Sequence, residues 1–107
     1  DLGFIAVFEK GVLQGYQVCI GGGQGMTHNR ADTYPRLATP IAFVGPDDLL
    51  RAAEAVVRYQ RDHGDRSDRR RARLKYVLDD RGVDTVREEL AAYWGGPLPA
   101  PRDLPRL

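Results

Sequence analysis

The chain is poor in the residues that build cross-links and metal sites. Its 107 residues include one cysteine, Cys19, and two histidines. A lone cysteine cannot close an internal disulfide, and it cannot by itself hold a metal cluster, because such sites draw on about four ligands. That scarcity assigns a reducing, cytoplasmic compartment. No apolar run approaches the roughly 20 residues that cross a bilayer, which excludes membrane insertion. The opening stretch, DLGFIAVFEK, lacks the basic flank, apolar core and small-residue cleavage site of a secretory leader. It does not begin with Met either, and reads as a chain cut from something longer. Neither an internal repeat nor a second core's worth of residues is present, so one modest domain is expected.

What is present is a soluble composition, 42% hydrophobic and 29% charged. LGFIAVF at 2–8 and GYQVCI at 15–20 carry β-branched and aromatic residues, with Tyr16, Val18 and Ile20 alternating against Gln17 and Cys19. An antiparallel hairpin with a loop of about 5 to 7 residues joins them most simply. From Asn29 to Gly45, prolines and threonines predict a loop with at most a short helical turn. GPDDLLRAAEAVVRYQRDHG then reads as a helix with Leu49, Leu50, Ala53, Val56, Val57 and Gln60 at helical spacing, stopped by Gly64. A second helix is expected from Ser67 or Asp68 to about Asp80, and a third from Val83 to Trp94. After Gly96, four prolines in eleven residues predict a linker over 95–107. The fold class is therefore α+β, a strand hairpin followed by three helices, with Leu49, Ala53, Val56, Leu74, Val77, Leu78, Val86 and Leu90 as core.

Two stretches carry chemistry. The first is GGGQGMTHN, in which Gly21, Gly22 and Gly23 end the second strand and Thr27, His28 and Asn29 follow. It lacks the Lys-Ser/Thr of a phosphate loop and does not meet a dinucleotide fingerprint. Its glycines either let the strand end pass close to another backbone or admit a bulky flat or anionic group, with the three polar side chains as donors. His28 has no second ligand at metal spacing, and His63, at a helix end, reads as a partner of the helix dipole. The second stretch is RDHGDRSDRRRARLK, 61–75, with seven Arg or Lys against three Asp. On a helix Arg69 and Arg73 share one face, and Arg71 and Lys75 another. Without interleaved aromatics it argues against nucleic acid, leaving a solvated face or a patch for a carboxylate-rich ligand.

Taken together, GGGQGMTHN, TYPRLA and QRDHGDRSDRRRARLKYVLDDRGVD resemble the haemoprotein subunits of sulfite reductases, within the sulfite and nitrite reductase family; the THN form points to the sulfite branch. The likeness covers residues 1–94. It implies the central part of a nitrite/sulfite reductase 4Fe-4S-type domain, with 95–107 leading to a missing domain. By the same resemblance, the full-length enzyme reduces sulfite to sulfide by six electrons at a sirohaem coupled to a 4Fe-4S cluster. The electrons come from an NADPH-flavoprotein subunit or ferredoxin. Gly22, Gly23, Thr27, His28 and Asn29 would border the cofactor, and Arg69, Arg70, Arg73 and Lys75 would neutralise its carboxylates or the sulfite dianion. The family's four cluster cysteines lie on a later segment, so this chain alone is expected to hold neither cofactor, to provide no catalytic or metal-ligating residue, and to be inactive. A nitrite reductase fragment and a stand-alone basic polyanion-binding domain are the rival readings. Open strand edges predict that the domain by itself pairs with a second copy.

Overall fold

A computed structural model of the chain describes residues 2–22, 38–64 and 74–103. Three antiparallel strands form one sheet in the order β1 (Leu2–Glu9), β2 (Val12–Ile20), β3 (Thr39–Val44). A single 3-10 turn, Pro46–Asp48, leads into α1 (Leu49–His63); α2 (Leu74–Arg81) and α3 (Val83–Trp94) follow. The α+β class expected from the sequence is the one observed. The sheet carries a strand more than the hairpin alone.

The hairpin is tighter than expected. Lys10 and Gly11 alone connect its strands, with φ of 50° and 77°, the paired left-handed geometry whose twist suits a two-residue turn. Consequently β2 begins at Val12 rather than at Gly15. Gly15 is an interior strand residue opposite Val7, beside the register shift between Val7 and Phe8. At φ 153°, a Cβ there would collide with the Val44 carbonyl and come within 2.9 Å of the Phe43 ring. Only glycine lets β3 run this close to β2.

The stretch 39–44, expected to be loop, is β3. Pro40 hid it, since proline cannot donate to a ladder. The structure accommodates Pro40 at an irregularity: Val18 pairs with Ala42 and Cys19 with Pro40, so Ile41 is the extra residue of a bulge. Ile41's carbonyl is then taken by a side chain, accepting from Arg87 Nε at 2.8 Å.

Helix α1 lies at a different rotation from the one its leucines suggest. Its buried residues are Ala52, Ala55, Val56 and Tyr59, whereas Leu50 is 82% and Val57 60% exposed. Leu49 and Ala53, expected in the core, are half-buried; the other six expected core residues are buried. Alanines carry little hydrophobic signal in a sequence, yet on a helix face they permit close backbone approach, and burying Tyr59 removes more apolar surface than burying Leu50 would. Helix α2 shows almost no amphipathicity, because Leu74, Lys75, Tyr76, Val77 and Leu78 are all buried. Its expected start at Ser67 or Asp68 lies outside the described residues. Helix α3 has the expected bounds and buries Val86, Leu90 and Trp94. One core joins Val18, Ile20, Ala42 and Val44 of the sheet to the three helices.

The C-terminal segment returns along this body. Arg87 Nη2 donates to the Leu98 carbonyl at 2.9 Å, and Leu98 packs against the core. Buried Gln17 exchanges two bonds with the backbone of Arg102: its Nε2 donates to the carbonyl at 2.6 Å and its Oε1 accepts from the amide at 3.0 Å. The Arg102 guanidinium lies 3.9 Å over the Phe43 ring. A buried amide is tolerable only when its donors and acceptors are matched, and this backbone match supplies both.

Candidate anion site

Of the nine residues expected to border a cofactor or anion, the described structure contains Gly22 and Lys75. Gly23, Thr27, His28, Asn29, Arg69, Arg70 and Arg73 lie outside the described residues. The convergence of the two stretches is therefore observable only at their ends.

Gly22 follows β2, and Ala38 precedes β3. A Cβ on Gly22 would sit 2.8 Å from Ala38 Cβ and 2.9 Å from its nitrogen, closer than real Cβ atoms approach. Close backbone passage therefore accounts for this glycine. It also brings together the two ends of the segment 23–37, in which Thr27, His28 and Asn29 fall.

Lys75, the second residue of α2, is 1% exposed. Together with Gln17 it makes up the buried polar and charged residues among those described. Its Nζ lies 5.0 Å from the Tyr76 ring centroid, within reach of a cation–π attraction. Taking an ammonium out of water is costly, so such a group is held only where negative charge or strong acceptors meet it. Inside low-dielectric surroundings its attraction for an anion is also far less screened than at a surface.

Sequence reasoning missed a second polar assembly. Glu89 on α3 accepts from the Tyr59 hydroxyl at 2.9 Å and from Arg81 Nη1 at 3.1 and 2.8 Å. Tyr93 donates to Asp62 at 2.7 Å, and the His63 ring stacks on Tyr59 with centroids 4.4 Å apart. His63 does stand at the end of α1, as expected, yet its surroundings are these side chains. The sequence signal that could have found the assembly is the run of Tyr59, Asp62 and His63 along one helix, and of Glu89 and Tyr93 along another, both at i, i+3 or i+4. Among the described residues, no group of three or more His, Cys, Asp or Glu gathers as a metal site, and no helix is long and apolar enough to cross a membrane.

This chain belongs to the nitrite and sulphite reductase 4Fe-4S domain family, whose pattern matches residues 1–98. Among particular proteins, it is 53% identical over 102 residues to a sulfite reductase (NADPH) hemoprotein beta-component of Acidithiobacillus ferrooxidans, covering 95% of this chain and 18% of that protein. The sulfite reductase (NADPH) subunit beta of Saccharomyces cerevisiae is 46% identical over 97 residues, covering 89% of this chain and 7% of that one. The fold is similar to that in the structure of the Mycobacterium tuberculosis NirA protein, with a TM-score of 0.79 at 31% identity over 96% of this chain and 18% of the other. The chain thus spans less than a fifth of the length of these relatives.

Proposed function

We propose that the chain is part of a cytoplasmic sulfite reductase, the enzyme that reduces sulfite to sulfide by six electrons at a sirohaem coupled to a 4Fe-4S cluster. The observation that carries this reading is the likeness, along nearly the whole chain, to proteins named as sulfite reductase hemoproteins. Their names carry NADPH, which favours an NADPH-flavoprotein subunit over ferredoxin as the electron donor. Residues 1–94 would form one piece of the family's domain, with 95–107 leading on from it, and the chain alone would be inactive.

The residues present fit the two cofactors unequally. A 4Fe-4S cluster takes four thiolates, and the sequence holds one cysteine, so the cluster's ligands must come from elsewhere and no step is assigned to it here. Sirohaem, with its rim of carboxylates, suits the buried ammonium of Lys75 and the basic run before it. When bound, that group would supply the metal centre at which sulfite takes up the electrons that the external donor delivers. The protein's part is electrostatic. Lys75 presents a fixed positive charge, Arg69, Arg70 and Arg73 offer planar guanidiniums that pair with carboxylate or sulfite oxygens through two bonds at once, and Thr27, His28 and Asn29 supply further donors beside Gly22 and Gly23. Neutralising sulfite's two charges lowers the cost of adding electrons to it and of holding it out of water.

The test uses the full-length protein. Arg73→Ala and Lys75→Met, the second keeping the buried volume, are expected to lower sirohaem absorbance per protein or to raise the KM for sulfite by about tenfold, the loss of one charge-assisted bond. Normal absorbance together with normal kinetics in both variants would return the basic run to a solvated face.

A further inference from the structure

Buried Lys75 stands on a helix poorly able to fix its own rotation. Leu74, Lys75, Tyr76, Val77 and Leu78 of α2 are all buried, and a helix covered on every side has no single apolar face to choose which way it turns. It is also short, eight residues, and is joined to α3 through Gly82 alone, at φ 87°. Its last residue is tied across that joint. Arg81 Nη1 donates to both carboxylate oxygens of Glu89 on α3, at 3.1 and 2.8 Å. Glu89 is held in turn from α1, where Tyr59, with no exposed surface, donates its hydroxyl to Oε1 at 2.9 Å. Burial first, then that bond, pushes Tyr59 ionisation well above its usual range, so the phenol stays a donor.

We propose that Glu89 is the positioning residue for Lys75: by holding Arg81 against α1 and α3 it fixes the rotation of α2, and with it the place of the Lys75 ammonium. This role rests on the reading of Lys75 as an anion-binding group. Lys75 and Arg81 belong to one rigid piece and stand roughly 9 Å apart along its axis at 1.5 Å per residue, so a twist allowed at Arg81 reaches Lys75 undiminished. Apolar packing is non-directional, whereas the bonds to Glu89 weaken steeply when their angles change. The side chains of Arg81 and Glu89 are 40% and 27% exposed, and ion pairs so open to water add little stability. The pair is therefore better suited to setting geometry than to holding the fold. Geometry counts at such a position, because a misplacement of about 1 Å can cost on the order of 100-fold in rate.

A double-mutant cycle in the full-length protein tests the role. Glu89→Gln keeps an acceptor for Tyr59 and gives up the charge facing Arg81. It is compared in the wild-type and Lys75→Met backgrounds by sirohaem absorbance per protein and by the kinetics with sulfite. In the wild-type background it is expected to lower the absorbance by about half or to raise the KM for sulfite about threefold or more, with kcat within about twofold. In the Lys75→Met background the same change should shift either quantity by less than about 1.5-fold. Should Glu89→Gln not fold, Arg81→Gln makes the comparison from the other end of the pair. An equal factor in both backgrounds would mean that Glu89 braces the helices in general, and no effect in the wild-type background would mean that packing already fixes α2. Either result overturns the proposal, and a Lys75→Met protein that is itself impaired would leave the anion-binding reading standing. A Lys75→Met protein that behaves as wild type would sink that reading and the role of Glu89 with it.

Discussion

The two edges of the sheet are finished differently. On the β3 side, side chains reach across to carbonyls that regular pairing leaves open: Arg87 takes those of Ile41 and Leu98, and Gln17 takes that of Arg102. On the hairpin side, Ile5 is 50% exposed and Phe8 and Val12 are each 61% exposed. The difference is one of chain return. Residues 97–103 come back along the β3 side and bring backbone acceptors with them, whereas among the described residues nothing returns beside β1. An edge strand with exposed apolar side chains is the kind of surface other chains pair with.

The largest effect should come from the core that both edges share. Leu90→Ala, at a position 2% exposed, should cost about 2 to 5 kcal/mol in denaturant unfolding, through lost burial and the cavity left behind. A cost below about 1 kcal/mol would mean that the helical layer is not packed as described. Breaking the closed side comes next. Arg87→Ala strands two carbonyls and should cost about 1 to 3 kcal/mol, while Arg87→Lys, which cannot span both acceptors, should recover only part of it. Equal stability of all three proteins would show that the returning segment contributes nothing. The smallest effect on stability belongs to the open side: Phe8→Ser combined with Val12→Thr should change unfolding by no more than about 0.5 to 1 kcal/mol. The same pair should shift sedimentation towards monomer if the hairpin mediates pairing with a second copy. A wild-type chain that is monomeric at every concentration would instead leave the β1 edge for another part of a longer protein.

How far the sequence carried the reading varies by element. The two hairpin strands and α3 were legible because their patterns are local: Tyr16, Val18 and Ile20 alternate, and Val86, Leu90 and Trp94 repeat at helical spacing. β3 was not, because Pro40 forbids an ordinary ladder position, and only a bulge opposite Val18 and Cys19 makes room for it. The rotation of α1 was misread for a related reason. Its exposed Leu50 and Val57 outweigh Ala52 and Ala55 in hydrophobicity, but the surface α1 meets needs small residues at the contact. Of the candidate site, the identities of Gly22 and Lys75 were legible; that one is fixed by Ala38 and the other is buried was not.

By itself, then, the sequence determined the α+β class, the hairpin, three helices, the family likeness and which residue types are available to meet an anion. These follow from near-neighbour periodicity and from motifs read along the chain. Tertiary structure alone decided that Gln17 pairs with Arg102, 85 residues away, that Arg87 serves a bulge on β3, and that the Tyr59 hydroxyl donates to Glu89, 30 residues away. Each of these is a match between a donor and an acceptor far apart in the chain. Such matches are set by which backbone groups the packing leaves unsatisfied, a quantity that does not exist until the elements are assembled.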